Sequence, residues 1–142
     1  VKTQAPILRQ FVGYMPERGG HLALYNGIDI ALDTFPYNGT TTTCEALWMG
    51  VPVVTWRGDR HAGRVGASLL AAVGLDELVA PSLEAYVGLA RDLAGEPERL
   101  AALSRSLRER LKASQLLDAR GLARALEAAY REMWQRWCRD QS

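Results

Sequence analysis

The segment 29–50 constrains this chain more than any other part of its 142 residues. It begins with a short apolar stretch that predicts a strand over 29–33. Pro36 and the Asn38-Gly39 pair then favour a turn, and four threonines, Thr40 to Thr43, precede a helix-forming run. The first N–H groups of a helix have no internal partner, and the helix dipole makes that end positive, so anions bind there. We therefore expect this turn to bind the diphosphate of a nucleotide or nucleotide-sugar.

The same residues have a plainer interpretation. Thr42 and Glu45 match the S/T-x-x-E capping box, and Gly50 stands where a helix C-terminal cap belongs. These signals predict a helix from Thr42 to Met49 in which the threonines only cap the first turn. The residues by themselves leave capping and phosphate binding both open.

Strands alternate with helices in the first part of the chain. Apolar runs predict strands over 7–13, 51–56 and 78–80, and a short helix over 21–26. A further helix is predicted over 60–73, with Asp59 as its N-cap. This alternation indicates an α/β fold with a Rossmann-like parallel sheet. Only helices are predicted after residue 80, so we expect a single domain, 1–142, with strand/helix alternation over 1–80 and a helical part over 81–142.

Composition excludes several classes of protein. A net charge of +1 argues against nucleic acid as the main partner. No run is long and apolar enough to predict a membrane span. The two cysteines, Cys44 and Cys138, are far apart and unpatterned, which predicts neither a disulfide framework nor a metal site and favours a cytoplasmic location.

The residues in and around the threonine turn resemble those of a known protein family. The stretch Asp-Ile-Ala-Leu-Asp-Thr-Phe-Pro-Tyr-Asn-Gly-Thr-Thr-Thr-Thr-Cys-Glu-Ala-Leu-Trp-Met-Gly-Val-Pro-Val-Val-Thr, residues 29–55, resembles the C-terminal lobe of the O-linked N-acetylglucosaminyltransferase family. Residues 60–68 and 74–80, and Tyr130 and Met133-Trp134 in the last helix, are also similar to it. The family includes bacterial tetratricopeptide-fused members and plant SPINDLY-like members. The resemblance implies the donor-binding lobe of a GT-B glycosyltransferase, inverting and metal-independent.

The resemblance also implies site residues. Thr41 and Thr42 fall where the family holds the diphosphate, and Thr40 stands just before them. Glu45 falls where the family has an acid for the ribose hydroxyls, a role that competes with its capping-box role. His21 is similar to a family histidine that lies against the base, although a lone histidine is often structural or exposed. The turn residues Asn38 and Gly39 complete the predicted substrate-binding set.

Four departures from the family pattern leave the base and the sugar open. Mammalian members have a histidine where Thr40 stands and an aspartate where Glu45 stands. They also have an arginine where Leu24 stands, and a lysine without a clear counterpart near residues 15–18. Relatives use UDP-N-acetylglucosamine, UDP-glucose or GDP-fucose. The three hydroxyls and the turn that would hold the diphosphate are nevertheless present.

We expect the chain to act as part of a protein O-glycosyltransferase, with UDP-N-acetylglucosamine as the first choice of donor and Ser/Thr as acceptor. The nucleotide-sugar is a substrate, and no cofactor or metal is expected. A GT-B enzyme needs about two domains of ordinary size, so an upstream catalytic lobe, and tetratricopeptide repeats before it, are expected partners. The catalytic base is expected outside this chain. The rival interpretations are a non-catalytic nucleotide-binding module and a plain interaction domain.

The last predicted helix has an apolar face whose aromatic end we assign to core or interface. Asp118 is predicted to cap it, and its apolar positions recur at helical spacing: Leu122, Leu126, Ala129, Met133 and Trp137, with Trp134 beside them. An exposed apolar face invites association. We therefore predict that the isolated chain dimerises through this helix or folds it back on itself.

Overall fold

The structure is a computed structural model that describes the backbone of residues 10–12 and all of residues 27–141. These residues form four strands: β1 (Gln10–Val12), β2 (Ile30–Leu32), β3 (Val53–Trp56) and β4 (Val79–Ala80). The α-helices are α1 (Thr41–Trp48), α2 (Val65–Ala72), α3 (Leu83–Gly95), α4 (Pro97–Ala113) and α5 (Ala119–Asp140). The predicted helix over 21–26, and the predicted first strand apart from β1, lie outside the described residues.

The four strands form one parallel sheet in the order β1-β2-β3-β4. Ala31 is in register with Val53, and Thr55 with Val79. Val53 and Val54 are both buried although their side chains point to opposite faces, as in a parallel strand covered on both sides. The predicted fold class, a parallel α/β sheet followed by C-terminal helices, is confirmed.

Local chemistry fixes several helix ends, and the caps predicted at Gly50 and Asp118 are confirmed. Gly50 and Gly74 follow α1 and α2 with positive φ angles of 80° and 67°, the left-handed conformation in which glycine commonly ends a helix. The Ser82 hydroxyl accepts a hydrogen bond from the Ala85 N–H at 3.2 Å. The Asp118 carboxylate accepts one from the Gly121 N–H at 2.8 Å. Local chemistry therefore fixed these ends as the sequence indicated.

The predicted helix over 60–73 is wrong at its start. A 3-10 turn over His61–Gly63 comes first, and α2 begins only at Val65, so Asp59 is not its N-cap. The Gly58 N–H donates to the Gly63 carbonyl at 2.7 Å, which closes residues 58–63 into a loop of their own. The helix starts only after the chain has left that loop.

The core lies where the helices cover the sheet. One leucine of each of four helices is fully buried in it: Leu47 of α1, Leu70 of α2, Leu93 of α3 and Leu107 of α4. Helix α4 also contacts α1 through its polar edge, where the Arg108 Nε donates to the Trp48 carbonyl at 2.8 Å. The core therefore closes without α5.

Helix α5 contributes no side chain to the core. None of its residues, all of which are described, is buried, and Met133, Trp134 and Trp137 are 54%, 63% and 55% exposed. Among the described residues, these exposures exclude the core half of the predicted core-or-interface role and the folding-back half of the prediction that the helix dimerises or folds back. The prediction of self-association stays a prediction.

Candidate functional site

The candidate site lies at the carboxyl edge of the sheet, where β2 and β3 end side by side. Asp33 directly follows β2 and Arg57 directly follows β3. Parallel strands bring their carboxyl ends to one edge, and ligands of open α/β sheets bind in the crevice outside that edge. The loop from residue 34 to residue 40 leaves this edge and leads into α1.

The Asp33 carboxylate closes the loop. Its Oδ1 accepts hydrogen bonds from the Thr34 N–H at 3.0 Å and from the Gly39 N–H at 2.8 Å. One oxygen atom therefore holds both the first residue of the loop and a residue at its far end. This places the start of α1 directly beside the end of β2.

The other oxygen of Asp33 ties the loop to the neighbouring strand. The Thr55 hydroxyl of β3 donates to Asp33 Oδ2 at 2.7 Å. Gly66 of α2 lies so close that a Cβ atom there would collide with Asp33 Oδ2 and Thr55 Oγ1, so only glycine fits. Burial raises the pKa of the Asp33 carboxyl above its ordinary value, against the opposing effect of its hydrogen-bond donors.

Helix α3 fixes Asp33 from a third direction. The Tyr86 hydroxyl donates to the Asp33 backbone carbonyl at 2.8 Å. Burial, with a contribution from the nearby Asp33 charge, raises the pKa of Tyr86 to about 12. The phenol therefore stays protonated at neutral pH and keeps its hydrogen bond.

Asn38 is a buried support of the loop. Its side chain is 1% exposed, and its Nδ2 donates to the Thr34 carbonyl at 2.9 Å. Its Oδ1 accepts from the Gly66 N–H at 3.3 Å, and its own N–H donates to the Ala62 carbonyl at 2.9 Å. These bonds join the β2–α1 loop to the loop before α2. They favour a scaffolding role, and the predicted substrate contact of Asn38 stays a prediction.

The four threonines divide by position on α1. Thr40 is the N-cap residue and is exposed, and its side chain makes no capping hydrogen bond to any described residue. Thr41 is exposed and Thr42 half-buried in the first helical turn, whereas Thr43 is buried and its hydroxyl donates to the Gly39 carbonyl at 3.1 Å. Thr40 to Thr42 are therefore placed at the positive end of the helix, and Thr43 is used for the fold.

The predicted capping box is wrong because the N-cap of α1 is Thr40, two residues earlier than the pattern requires. Thr42 lies inside the first turn, and Glu45 is one turn further along the helix, half-buried. Spacing of three places Thr42 and Glu45 on one helix face. Next to Glu45, burial and then the Glu45 charge raise the pKa of the Cys44 thiol, which keeps that thiol protonated at neutral pH.

The predicted site residues are only partly brought together. Asn38, Gly39, Thr40, Thr41 and Thr42 are contiguous at the carboxyl edge, with Glu45 one turn behind them. His21, the predicted base-side residue, lies outside the described residues. The predicted binding roles of all seven residues stay predictions.

The basic residues of the β3–α2 loop differ from one another in exposure and bonding. Arg57, Arg60 and His61 are exposed. Arg64 is used by its own loop, since its Nε donates to the Gly58 carbonyl at 3.2 Å and its Nη2 to the Asp59 carbonyl at 2.7 Å. Arg64 therefore stabilises the conformation of the loop that follows β3 at the carboxyl edge of the sheet.

Two aromatic side chains border the loop. The Phe35 ring stacks on Trp56 with centroids 3.8 Å apart, and Tyr37 is 74% exposed. A cleft of about 440 Å³ opens between this loop and residues 58–63 of the next. Apolar rings beside a positive helix end can accommodate a ligand that has both an anionic and an apolar part.

The scaffold around this edge was missed by reasoning from the sequence. Asp33, Thr55 and Tyr86 come from three distant parts of the chain. A signal was present for two of them, since each is a polar residue at or beside the end of a strand that is otherwise apolar. Nothing in the sequence pairs Tyr86 with that edge.

The described residues include neither a metal-binding cluster nor a membrane-spanning helix. No group of three or more His, Cys, Asp or Glu side chains within 10–12 and 27–141 could hold a metal ion. In the same part of the chain, no helix combines the length and apolar character that crossing a membrane requires.

Comparison with known proteins identifies the family. Residues 16–126 match the model of glycosyl transferase family 41, and the chain belongs to that family. The predicted resemblance is thereby confirmed.

Relatives of known name agree. The chain is 53% identical over 118 residues to a probable UDP-N-acetylglucosamine–peptide N-acetylglucosaminyltransferase SPINDLY of Hordeum vulgare, a match that covers 83% of this chain and 12% of that protein. It is 35% identical over 120 residues to the UDP-N-acetylglucosamine–peptide N-acetylglucosaminyltransferase of Caenorhabditis elegans, covering 84% of this chain and 10% of that one. The chain thus spans about an eighth of the first of these relatives.

A solved structure has the same fold. A mutant of the Thermobaculum terrenum O-GlcNAc transferase superposes with a TM-score of 0.80 at 47% sequence identity. The match covers 90% of this chain and 24% of that one. The chain therefore corresponds to about a quarter of that transferase.

Proposed function

We propose that this chain is the donor-binding part of a protein O-glycosyltransferase of the GT-B type. Its nucleotide-sugar is UDP-N-acetylglucosamine, by analogy with the named activity of the relatives, and its acceptor is a Ser or Thr hydroxyl of a protein. An upstream catalytic lobe supplies the rest of the enzyme, with tetratricopeptide repeats before it, which agrees with the short share of each relative that the chain spans. The two free cysteines favour a cytoplasmic location.

One observation carries the proposal: the start of α1, with Thr40 to Thr42, lies at the carboxyl edge of the sheet and follows a loop that is bonded to several elements. Thr41 and Thr42 hold the diphosphate with hydroxyls and helix N–H groups, and Thr40 adjoins them. Glu45 lies on the Thr42 face and binds the ribose. His21 contacts the base.

The reaction is an inverting displacement. The acceptor oxygen attacks the anomeric carbon, the bond from that carbon to the diphosphate oxygen breaks, and the electron pair leaves on the diphosphate. The acceptor proton passes to a general base that lies outside this chain. Helix N–H groups and threonine hydroxyls stabilise the charge that grows on the leaving diphosphate, which requires no metal ion.

The experiment uses the natural full-length protein that contains this chain. UDP and GDP are titrated calorimetrically against the wild type and the double variant Thr41→Ala/Thr42→Ala. The double variant lacks two hydroxyl groups that would donate to the charged diphosphate, so nucleotide affinity is expected to fall at least about tenfold. The matched control is Ser68→Ala, which removes a hydroxyl bonded to the Arg64 carbonyl of its own helix and leaves affinity unchanged.

The same titration separates the alternative, a non-catalytic nucleotide-binding or interaction module that needs a partner chain. This alternative is consistent with a chain in which no group among the described residues is assigned as the general base. Nucleotide binding without sugar transfer by the full-length protein would favour the module. Absence of UDP and GDP binding by the wild type would contradict both donor-binding interpretations and leave a plain interaction domain.

A further inference from the structure

Asp33 is a half-buried acid at the candidate site, and the proposed reaction gives it no role. It lies behind the threonine turn, and all three donors to its carboxylate are protein groups: the Thr34 N–H, the Gly39 N–H and the Thr55 hydroxyl. Its backbone carbonyl is taken by the Tyr86 hydroxyl. A carboxylate with bonds to three parts of the chain can set where the turn lies.

The direction of these bonds decides what Asp33 controls. The Gly39 N–H, held at 2.8 Å, is the last backbone donor before the threonine run. The Gly39 carbonyl in turn accepts from the buried Thr43 hydroxyl at 3.1 Å. Asp33 is thus connected through Gly39 to the first turn of α1.

The far side of the carboxylate is equally fixed. Thr55 is fully buried in β3, and Gly66 of α2 leaves just enough room for the pair of side chains. The carboxylate therefore sits between two strands and two helix starts. The bond of Oδ2 to Thr55 of β3 fixes the carboxylate relative to the sheet, and the bond of Oδ1 to Gly39 transmits that position to the loop.

We propose that Asp33 is the positioning residue of the diphosphate site: it fixes the N-terminal turn of α1, through Gly39, at the carboxyl edge of the sheet. This inference rests on the proposed function. Small displacements of groups that hold a reacting ligand have large effects on binding and rate. Loss of the Asp33 carboxylate should therefore weaken diphosphate binding even where the chain stays folded.

The test compares variants of the natural full-length protein by UDP affinity, measured calorimetrically at a temperature where circular dichroism shows each to be folded. GDP replaces UDP if the wild type prefers it. Asp33→Ala is expected to weaken affinity about tenfold, the effect of losing charged hydrogen bonds. Asp33→Asn should keep affinity within about threefold, since its amide can still accept from Gly39 and donate to the Thr55 hydroxyl.

Two further variants separate positioning from general stability. Asp29→Ala, at an exposed residue directly before β2, is the matched control and should leave affinity unchanged. Thr55→Val conserves shape and removes only the bond to Oδ2, so affinity should fall about threefold. If Asp33→Ala does not fold, Thr55→Val and Asp33→Asn decide the question.

The possible results are distinct. Reduced melting temperature with wild-type UDP affinity in Asp33→Ala and Thr55→Val would overturn the positioning role and leave the proposed function intact. Affinity lost in Asp33→Asn as severely as in Asp33→Ala would also overturn it, because the geometry is conserved there. A wild type that binds neither UDP nor GDP would overturn both the positioning role and the proposed function.

Discussion

The sequence predicted a binding role for the loop between β2 and α1 and an interaction role for helix α5. In the structure, the side chains of these two regions differ in burial and in bonding. In the loop, the polar side chain of Asn38 is 1% exposed and bonded to two other parts of the chain. In α5, large apolar side chains are exposed, and the ion pair of Arg136 with Glu132 at 3.0 Å lies in solvent. The difference shows that bonding across elements, not hydrophobicity, makes the loop a rigid part of this chain.

The contrast also concerns stability. A helix that does not pack on other elements is stabilised mainly by local interactions, each of which contributes a few tenths of a kcal/mol. The loop is fixed by groups from β3, α2 and α3, so it opens only when the sheet does. We therefore expect α5 to fray while the carboxyl edge stays ordered.

The largest expected effect is the difference in unfolding free energy between a truncated core leucine and a truncated leucine of α5. Leu70→Ala removes a fully buried side chain and should lower the free energy of unfolding by about 3 kcal/mol. The matched change Leu126→Ala, on a side chain 48% exposed, should cost less than about 0.5 kcal/mol. Urea unfolding followed by circular dichroism measures both. Equal losses would mean that α5 is packed in solution, against another copy or another part of the protein.

The next effect tests the tight contact behind the loop. Gly66→Ala forces a methyl group against the Asp33 and Thr55 side chains, so the free energy of unfolding should fall by about 2 kcal/mol. Gly88 in α3 has no atom within 4 Å of an added Cβ among the described residues. Gly88→Ala should therefore stabilise the chain by about 0.5 kcal/mol, as alanine does inside a helix. A Gly66→Ala variant as stable as the wild type would show that the edge is looser than described.

The smallest effect tests the third anchor of Asp33. Tyr86→Phe removes one hydrogen bond and should cost about 1 kcal/mol at neutral pH. The folded pKa of Tyr86, about 12, is above its ordinary value of 10.0, so the unfolded chain loses the phenol proton first. The wild type should therefore lose stability as pH rises from 10.0 toward 12, and Tyr86→Phe should lose less over that window.

The control for this prediction is Tyr130→Phe, which changes a tyrosine of α5 that is 65% exposed. It should leave the free energy of unfolding at neutral pH unchanged. Urea unfolding at several alkaline pH values measures all three proteins. The role of Tyr86 is refuted if both variants follow the wild-type pH dependence.

Much of the fold followed from the sequence because its signals are local. The apolar runs of β2 and β3, the glycine after α1 and the cap of α5 each act within a few residues. The start of α2 did not follow, because the loop that delays it depends on a bond between Gly58 and Gly63. The capping box at Thr42 failed for a similar reason: Asp33, six residues before Gly39, helps to set where the turn ends and the helix begins.

The candidate site likewise has features that the sequence predicted and features that only the tertiary structure revealed. The sequence by itself determined that a strand, a turn and a threonine-lined helix start follow one another, and that the chain resembles the family to which it belongs. Only the tertiary structure decided that Asn38 is buried, that Thr43 serves the fold, and that Asp33, Thr55 and Tyr86 meet behind the turn. The physical reason is that caps and periodicity act over a few residues, whereas bonds across 22 and 53 residues exist only once the sheet and its helices have assembled.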